Sequence, residues 1–336
     1  MDDRESNSAP ILYQQAAIPG KGIGMLATSP IASGSLIIAE TPLFIVPSNI
    51  RDCAVMATPA LKSYVLTAVS RLTKPQQSAF LSLHNAQVRS TSELPPFLSI
   101  ISTNAFGLGI DATKSGVFET CSRFNHSCVP NANFVWNEGG QKLEVRAVED
   151  IQEGEEILLS YLGSKLAMAD RLERQQSLRL RYGFQCQCAA CGLDAPEAAA
   201  DNLLRAEAKR LDELIGDGVL IATNPARALK YCRDLMNVRK RLKQTPEIPR
   251  VYYDAFQVCV AHGDLARAKV FMRLHNDMKE RIEGDWAVDA EKRELVERPE
   301  RHRLYRQVSR RWNTNVQHAR EEGSEGFVEW LWMRAG

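Results

Sequence analysis

Three cysteines stand within six residues of one another just past the middle of the chain, in the segment FQCQCAAC. Cys186, Cys188 and Cys191 form a C-x-C-x-x-C pattern. A structural zinc ion takes four ligands in a tetrahedron and binds thiolates well, so the cluster predicts a zinc site that needs a fourth ligand from elsewhere. Two alternatives stay open: three reduced thiols in a loop, and an iron–sulfur cluster, although the spacing matches none of the usual ferredoxin patterns.

The fourth ligand is expected to be Cys128. Four of the other cysteines stand singly, as small buried hydrophobic residues often do: Cys53, Cys121, Cys232 and Cys259. Cys128 instead lies in CSRFNHSCVPNANF, residues 121–134, two residues after the adjacent pair Asn125 and His126 and just before a Pro-Asn turn signal. The plain alternative for this segment is a buried turn whose polar side chains cap the backbone.

Composition limits the partners of the chain. It has 336 residues, 44% of them hydrophobic, and its 42 basic and 41 acidic residues leave a net charge of +1, so no overall field attracts nucleic acid or an anionic membrane. The opening MDDRESNSAP is polar where a signal peptide is basic and then apolar, and no run of eighteen apolar residues occurs. We expect a nuclear and/or cytoplasmic monomer with reduced cysteines, no membrane partner and no direct nucleic-acid partner.

Short strands are predicted for most of the N-terminal half. From Ala9 to Val46, short apolar runs alternate with Gly, Pro and Ser, which predicts strands and tight turns. Residues 50–96 change to helical spacing and are predicted to form a helical insertion. Strand patterns return near residue 134 and over 142–162, with a turn at Glu153 and Gly154.

Helices are predicted for the C-terminal half. Residues 164–181 have a helical period, in which Asp170 and Arg174 have the spacing of an exposed ion pair. Beyond Asp194 the pattern is helical almost to the end. The Arg-rich segment 301–312 could touch an acidic partner, but the acidic residues before it favour a solvated helix face. Gly263 and Asp264 should end one helix and cap the next, as in a tetratricopeptide (TPR)-like hairpin, although no 34-residue repeat is evident. The fold class is therefore α+β.

Four ordered motifs resemble those of SET-domain protein-lysine methyltransferases, close to the SMYD-like and fungal SET-protein branch. KGIGMLA, residues 21–27, resembles the first SET motif; FNHSCVPN matches the central NHSCxPN motif; GEEILLSY ends on Tyr161 as the family pattern does; and FQCQCAAC resembles the post-SET segment. The resemblance runs from about Ala9 to Gly192 and is weak from Arg51 to Pro96. SMYD proteins carry a MYND zinc finger in that weak region, where this chain has only Cys53, so the finger is expected to be absent.

The resemblance implies a fold and a domain order. The expected parts are a split SET domain of short strands at 9–163 with its helical insertion at about 50–96, a post-SET helix and zinc segment at 164–193, and an all-α, TPR-like C-terminal domain at 194–336. The helical tail is similar in kind to the C-terminal domain of SMYD proteins.

The resemblance also implies an activity and a site. It implies an S-adenosylmethionine (SAM)-dependent enzyme that methylates lysine in a protein substrate, histone or non-histone, with one structural zinc ion. Tyr161 matches the catalytic tyrosine and Phe106 a wall of the lysine channel. The residues that would bind the cofactor are Lys21, Gly22, Ile23, Gly24, Asn104, Asn125, His126, Tyr161 and Phe184. Zinc would be bound by Cys128, Cys186, Cys188 and Cys191.

Within that list the resemblance implies distinct roles. Asn125 and His126 would hold the amino-acid and ribose parts of the cofactor, and Phe184 would stack on adenine. G-x-G alone is also typical of a plain β-turn, and no helix follows it, which argues against a dinucleotide-binding fold. The alternative function is a catalytically silent SET scaffold that only binds proteins. A nucleic-acid-binding zinc protein is disfavoured by the neutral charge balance.

Overall fold

The computed structural model describes residues 11–47, 58–86, 95–109 and 113–334, and the chain divides into two compact units. The first unit comprises the described residues of Met1–His126, Asn131–Leu159 and Arg181–Gly183. The second comprises those of Ser127–Pro130, Ser160–Leu180 and Phe184–Gly336. Cys53 lies outside the described residues, as does part of the predicted insertion at 50–96.

Short strands build most of the first unit, as the alternating apolar runs predicted. They are β1 (Tyr13–Ile18), β2 (Gly22–Ala27), β3 (Leu36–Glu40), β4 (Phe44–Val46), β5 (Phe106–Leu108), β6 (Lys114–Val117), β7 (Asn125–His126), β8 (Ala132–Asn137), β9 (Lys142–Ala147) and β10 (Leu158–Leu159). Four small sheets result: antiparallel β1-β2, parallel β10-β7, and the antiparallel three-stranded sheets β3-β9-β8 and β4-β6-β5. Gly154 has a φ of 78°, which confirms the turn predicted at 153–154.

In the described part of the first unit, three helices fall within the predicted insertion or beside it. They are α1 (Pro59–Ser70), α2 (Lys74–Leu81) and α3 (Pro96–Asn104). Thr58 and Thr73 cap the first two by accepting a backbone N–H, and a proline follows each cap within the first turn. The helices pack their apolar faces with Phe44 and Val46 of β4 in one core, and β2, β8 and β9 share another.

Helices build the second unit. They are α4 (Ser164–Ala167), α5 (Arg171–Tyr182, whose last two residues belong to the first unit), α6 (Ala195–Ile215), α7 (Gly218–Thr223), α8 (Pro225–Arg241), α9 (Ile248–Ala261), α10 (Leu265–Glu283), α11 (Ala290–Glu297) and α12 (Phe327–Trp332). The α9–α10 hairpin is as predicted: α9 ends just before Gly263, whose φ is 83°, and the carboxylate of Asp264 accepts the N–H of Arg267 to cap α10. No helix in the described part of the chain has the length and apolar composition that a bilayer-spanning segment needs.

Two predictions about the secondary structure of the second unit were wrong. The segment predicted as one helix over 164–181 is two helices, because Asp170 interrupts it and accepts the N–H of Glu173 as a cap. Residues 302–326 form turns and one short 3-10 turn in place of the predicted helix, so the arginines of 301–312 do not share a helix face. Trp312 is buried in the core of this unit and anchors the irregular segment.

Candidate functional site

The NHSCxPN segment is divided between the units, with Asn125, His126 and Asn131 in the first and Cys128 in the second. Asn125 and His126 form β7, which pairs in parallel with Leu158 and Leu159 of β10. His126 is buried and Asn125 is half-buried. A strand of two residues makes few ladder bonds, so its position depends on side chains around it.

Asn131 supplies one of those side-chain contacts. Its Nδ2 donates to the carbonyl of Glu156 at 2.9 Å, and its Oδ1 accepts the N–H of Leu158 at 2.8 Å. One buried carboxamide thus completes the backbone bonding of the GEEILLSY segment. These hydrogen bonds explain why the central motif ends in an asparagine. They also connect that motif to the GEEILLSY segment.

Glu40 fixes the turn that leads into β7. Its two carboxylate oxygens accept the backbone N–H groups of Glu119, Thr120 and Cys121 at 2.7 to 2.9 Å. Those groups lie at the start of the 3-10 turn Cys121–Arg123, where donors have no partner within the turn itself. Burial, followed by the nearby charge of Glu40, raises the pKa of the Cys121 thiol well above its usual range, so this cysteine stays a neutral core residue.

Glu156 connects two of the predicted cofactor segments. Its carboxylate accepts from the Lys21 ammonium at 2.5 Å and from Asn125 Nδ2 at 2.8 Å. Gly24 lies against this pair: a Cβ there would be 2.7 Å from Asn125 Nδ2, Glu156 Oε1 and Ile18 Cγ1. The second glycine of the G-x-G is therefore required by close approach, and the first, Gly22, by a φ of 76° with open space around it.

Asn104 and Phe106 take positions inside the first unit that are mainly structural. Both donated hydrogen bonds of Asn104 end on main-chain carbonyls, those of His84 and Ile100. The Phe106 ring packs edge-to-face on Phe118 and on Phe134, with centroids 5.7 and 4.8 Å apart. The cofactor role of Asn104 and the channel role of Phe106 stay predictions.

Tyr161 and Phe184 meet in the second unit, although 22 residues separate them. Their ring centroids are 6.4 Å apart and the rings are nearly perpendicular, at 83°. Both side chains are half-buried. The structure thus brings together the predicted catalytic tyrosine and the predicted adenine-stacking aromatic, as an aromatic pair with edge-to-face geometry.

The four predicted zinc ligands also come together in the second unit. One Sγ from each of Cys128, Cys186, Cys188 and Cys191 lies within 4.8 Å of the others. The Sγ atoms of Cys128 and Cys191 are 3.6 Å apart, close to the roughly 3.8 Å edge of a tetrahedron with Zn–S bonds of about 2.3 Å. Backbone N–H groups of Cys191 and Gly192 donate to the Cys188 carbonyl and close the turn that presents the last two cysteines.

The four thiols of the cluster differ in their tendency to ionise. Hydrogen bonds with the other three cysteines raise the pKa of Cys128, and the pKa of Cys186 is also raised, so Cys188 and Cys191 are the two favoured as thiolates. Hydrogen bonds from the Cys128 thiol, followed by those from Cys186, lower the pKa of Cys191 to about 7 and that of Cys188 further. The N–H of Cys128 points at the Cys188 Sγ at 3.4 Å. Thiolates are the form that binds zinc, so the donor set and its spacing fit that ion.

Arg174 corrects one prediction about this region. The i,i+4 spacing to Asp170 predicted an exposed ion pair, but the Arg174 side chain is fully buried and its Nη2 lies 3.7 Å from the Cys191 Sγ. A cluster of sulfur atoms accepts hydrogen bonds from a guanidinium, whereas Asp170 is already the N-terminal cap described above.

Comparison with known proteins places the chain in a family. Residues 22–162 match the model of the SET domain. The chain is 32% identical over 299 residues to "Histone-lysine N-methyltransferase set5" of Schizosaccharomyces pombe, covering 87% of this chain and 86% of that protein. It belongs to the SET-domain protein-lysine methyltransferases, in the SMYD-like branch.

Two human relatives match over shorter stretches. "Protein-lysine N-trimethyltransferase SMYD5" is 42% identical over 93 residues, which is 28% of this chain and 22% of that protein. "Histone-lysine N-methyltransferase SMYD3" is 32% identical over 114 residues, 31% of this chain and 26% of that protein. The chain therefore spans most of the fission yeast relative but about a quarter of the human ones.

Sequence reasoning missed Glu40, Glu156 and Arg174. Glu156 stands in the GEE triplet, and an acid two residues before a strand of apolar residues offered a weak signal that it faces a donor. Glu40 and Arg174 carried no signal, because their partners lie 79 and 17 residues away in the chain.

Proposed function

We propose that this chain is a SAM-dependent protein-lysine N-methyltransferase with one structural zinc ion. The observation that carries the proposal is the arrangement around Glu156, which holds Lys21 of the first SET motif and Asn125 of the central motif on one carboxylate. Family membership supports the reaction class. The substrate would be a lysine side chain of a histone or another protein, and the enzyme would act in the nucleus and/or cytoplasm.

SAM, when bound, supplies a methyl group on a positively charged sulfur. In the first unit, the proposed binding residues are Lys21, Gly22, Ile23 and Gly24 of the G-x-G segment, together with Asn104, Asn125 and His126. In the second unit they are Tyr161 and Phe184. Asn125 donates through Nδ2 to Glu156, which leaves its side-chain oxygen as an acceptor for an ammonium group such as that of the methionine part of SAM.

The residues around the acceptor lysine must keep its amine neutral. A free lysine has a pKa of about 10.4, so the attacking amine needs an apolar surrounding that disfavours the ammonium form. Tyr161, packed edge-on against Phe184, offers one hydroxyl within an aromatic surface and is proposed to orient the amine. Phe106, within its own aromatic cluster, is proposed as a channel wall.

Zinc is proposed to have a structural role. Four cysteines fill a tetrahedral site completely and leave no position for substrate, which is typical of structural zinc. Binding would fix Cys128 of the central motif together with the post-SET segment that carries Phe184. The helical region after Asp194 is proposed to select substrate without taking part in methyl transfer.

Calorimetric titration of the purified chain with SAM tests the proposal against a silent scaffold. We expect saturable binding with one SAM per chain, weakened by His126→Ala and nearly unchanged by Tyr161→Phe. Absence of binding to the folded wild-type chain would contradict the proposal. Extract from cells that lack the protein, incubated with the enzyme and labelled SAM, would then reveal the methylated protein.

A further inference from the structure

A fully buried arginine touches the cysteine cluster. Arg174, on α5, donates through Nη2 to the Cys191 Sγ at 3.7 Å and through Nη1 to the Ala169 carbonyl at 2.7 Å. Burial of a guanidinium group away from water costs desolvation free energy unless a negative charge lies beside it. Arginine is therefore almost never fully buried unless it is paired. The counter-charge of Arg174 therefore needs to be identified.

One carboxylate serves two buried guanidinium groups. Asp201, on α6, lies 3.5 Å from Arg174 Nη2 and 2.7 Å from the Nε of Arg205, which is also fully buried. Arg205 takes both oxygens of that carboxylate and so has the stronger claim on it. In the described part of the chain, the ion pairs of both arginines end on Asp201, which leaves one positive charge in excess.

The excess charge has the sign that a zinc–tetrathiolate centre requires. Four thiolates around a divalent ion carry a formal charge of −2, and outer groups that donate hydrogen bonds to ligand atoms raise metal affinity. We propose that Arg174 compensates the charge of the four-cysteine zinc centre, because Asp201 is engaged mainly by Arg205 and neutralises the Arg174 charge only in part. The inference rests on the zinc site proposed above.

Compensation by charge predicts a pattern of zinc affinities that an arginine with only a packing role would not give. If Arg174 acts by charge, removal of that charge weakens zinc binding, while neutralisation of Asp201 leaves the site more positive and does not weaken zinc binding. If Arg174 only packs the fold, both changes loosen the cluster together. Arg239 is the matched control, because it is also buried in the second unit and bonds Gln244 and the Met168 sulfur without touching the cysteines.

The test measures zinc affinity on the full-length, zinc-loaded chain by competition with a chromophoric chelator. Arg174→Met should lower affinity 10- to 100-fold, Arg174→Lys should recover much of that loss, and Asp201→Asn should keep affinity at or above the wild-type value while lowering the melting temperature. Arg239→Met should change affinity less than about threefold. Arg174→Met within threefold of wild type, or an equal loss in Asp201→Asn, would overturn the inference.

A second readout covers a variant that folds poorly. With Co²⁺ in place of Zn²⁺, the sulfur-to-metal charge-transfer band reports the electron density on the ligand sulfur. Arg174→Gln, which keeps a hydrogen-bond donor without the charge, should shift the band, while Arg239→Met should not. An unshifted band in Arg174→Gln counts against the inference. A wild-type chain that binds neither ion would instead contradict the zinc proposal itself.

Discussion

The NHSCxPN segment has two parts that are held in place by different interactions: the two asparagines at its ends, and the cysteine between them. Asn125 and Asn131 are fixed by hydrogen bonds to a carboxylate and to main-chain groups, all of them supplied by the protein. Cys128 instead faces three other cysteines, and the guanidinium of Arg174 lies beside Cys191. The asparagines have their partners within the protein, whereas on the zinc proposal Cys128 and the other three cysteines are held together by the ion.

The largest effect is expected at the cysteines. Cys186→Ser should reduce zinc from one ion per chain to nearly none and destabilise the second unit by at least about 3 kcal/mol, because the binding free energy of a structural zinc is folding free energy. Metal analysis and thermal unfolding measure both quantities.

Cys121→Ala is the matched control for that change. Cys121 is equally buried but lies in the first unit, so zinc content should stay at one per chain. An unaltered zinc content in Cys186→Ser would contradict the four-cysteine assignment.

Gly24→Ala should disrupt the hydrogen bonds that hold Asn125. The new Cβ would stand 2.7 Å from Asn125 Nδ2 and Glu156 Oε1, so that pair must move, at a cost of about 1–3 kcal/mol for overpacking. We expect lower stability and at least tenfold weaker SAM binding, measured by denaturant unfolding and calorimetry, with zinc content unchanged.

Gly139→Ala is the comparison for this variant, since the nearest atom to its Cβ would be 3.6 Å away. It should behave as wild type in both measurements. If Gly24→Ala binds SAM as tightly as Gly139→Ala does, then the close approach at Gly24 has no bearing on the cofactor.

Glu156→Gln should have a smaller effect on the same hydrogen bonds. Glutamine can still accept from Asn125 but loses the charge that pairs with Lys21, a contribution of about 1 kcal/mol for a partly exposed pair. SAM affinity should fall about fivefold by calorimetry. Glu153→Gln, three residues away and exposed, should leave it unchanged, and equal behaviour of the two variants would disprove the positioning role.

A change that stabilises the chain is expected from one buried carboxyl group in the second unit. Burial, partly offset by Arg250 and reinforced by Asp212, raises the pKa of Asp254 to about 6 from an ordinary 3.8. The folded chain therefore binds this proton more tightly than the unfolded chain, and the associated stability is present below about pH 4 and lost as pH rises through 6.

Asp254→Asn removes that loss. It should stabilise the chain by about 2 kcal/mol at pH 7 and give no such gain at pH 4. Zinc-site formation has the opposite trend, because thiolates form as pH rises, so the variant should be compared at equal zinc loading by thermal unfolding. A gain of the same size at both pH values would contradict the raised pKa.

The contrast between local and distant partners also explains which residues the sequence could predict. The four cysteines, the β2 glycines, Tyr161 and Phe184 could be named because short motifs carry their spacing, and Gly263 with Asp264 because turn and cap chemistry is local. Arg174 looked like a surface residue because helical spacing shows only its neighbours on α5 and not the sulfur cluster 17 residues away. Glu40 was missed for the same reason, since its three N–H partners lie about 80 residues further on.

Transfer of a methyl group to lysine is the central claim, and mass spectrometry of a protein acceptor tests it most directly. The acceptor found in extract is incubated with SAM and either the wild-type chain or Tyr161→Phe, whose SAM affinity is first shown to match wild type. The account predicts methylated lysine with the wild-type chain and at least a tenfold lower yield with Tyr161→Phe. Methylation on another residue type, or equal yields from both chains, would contradict it.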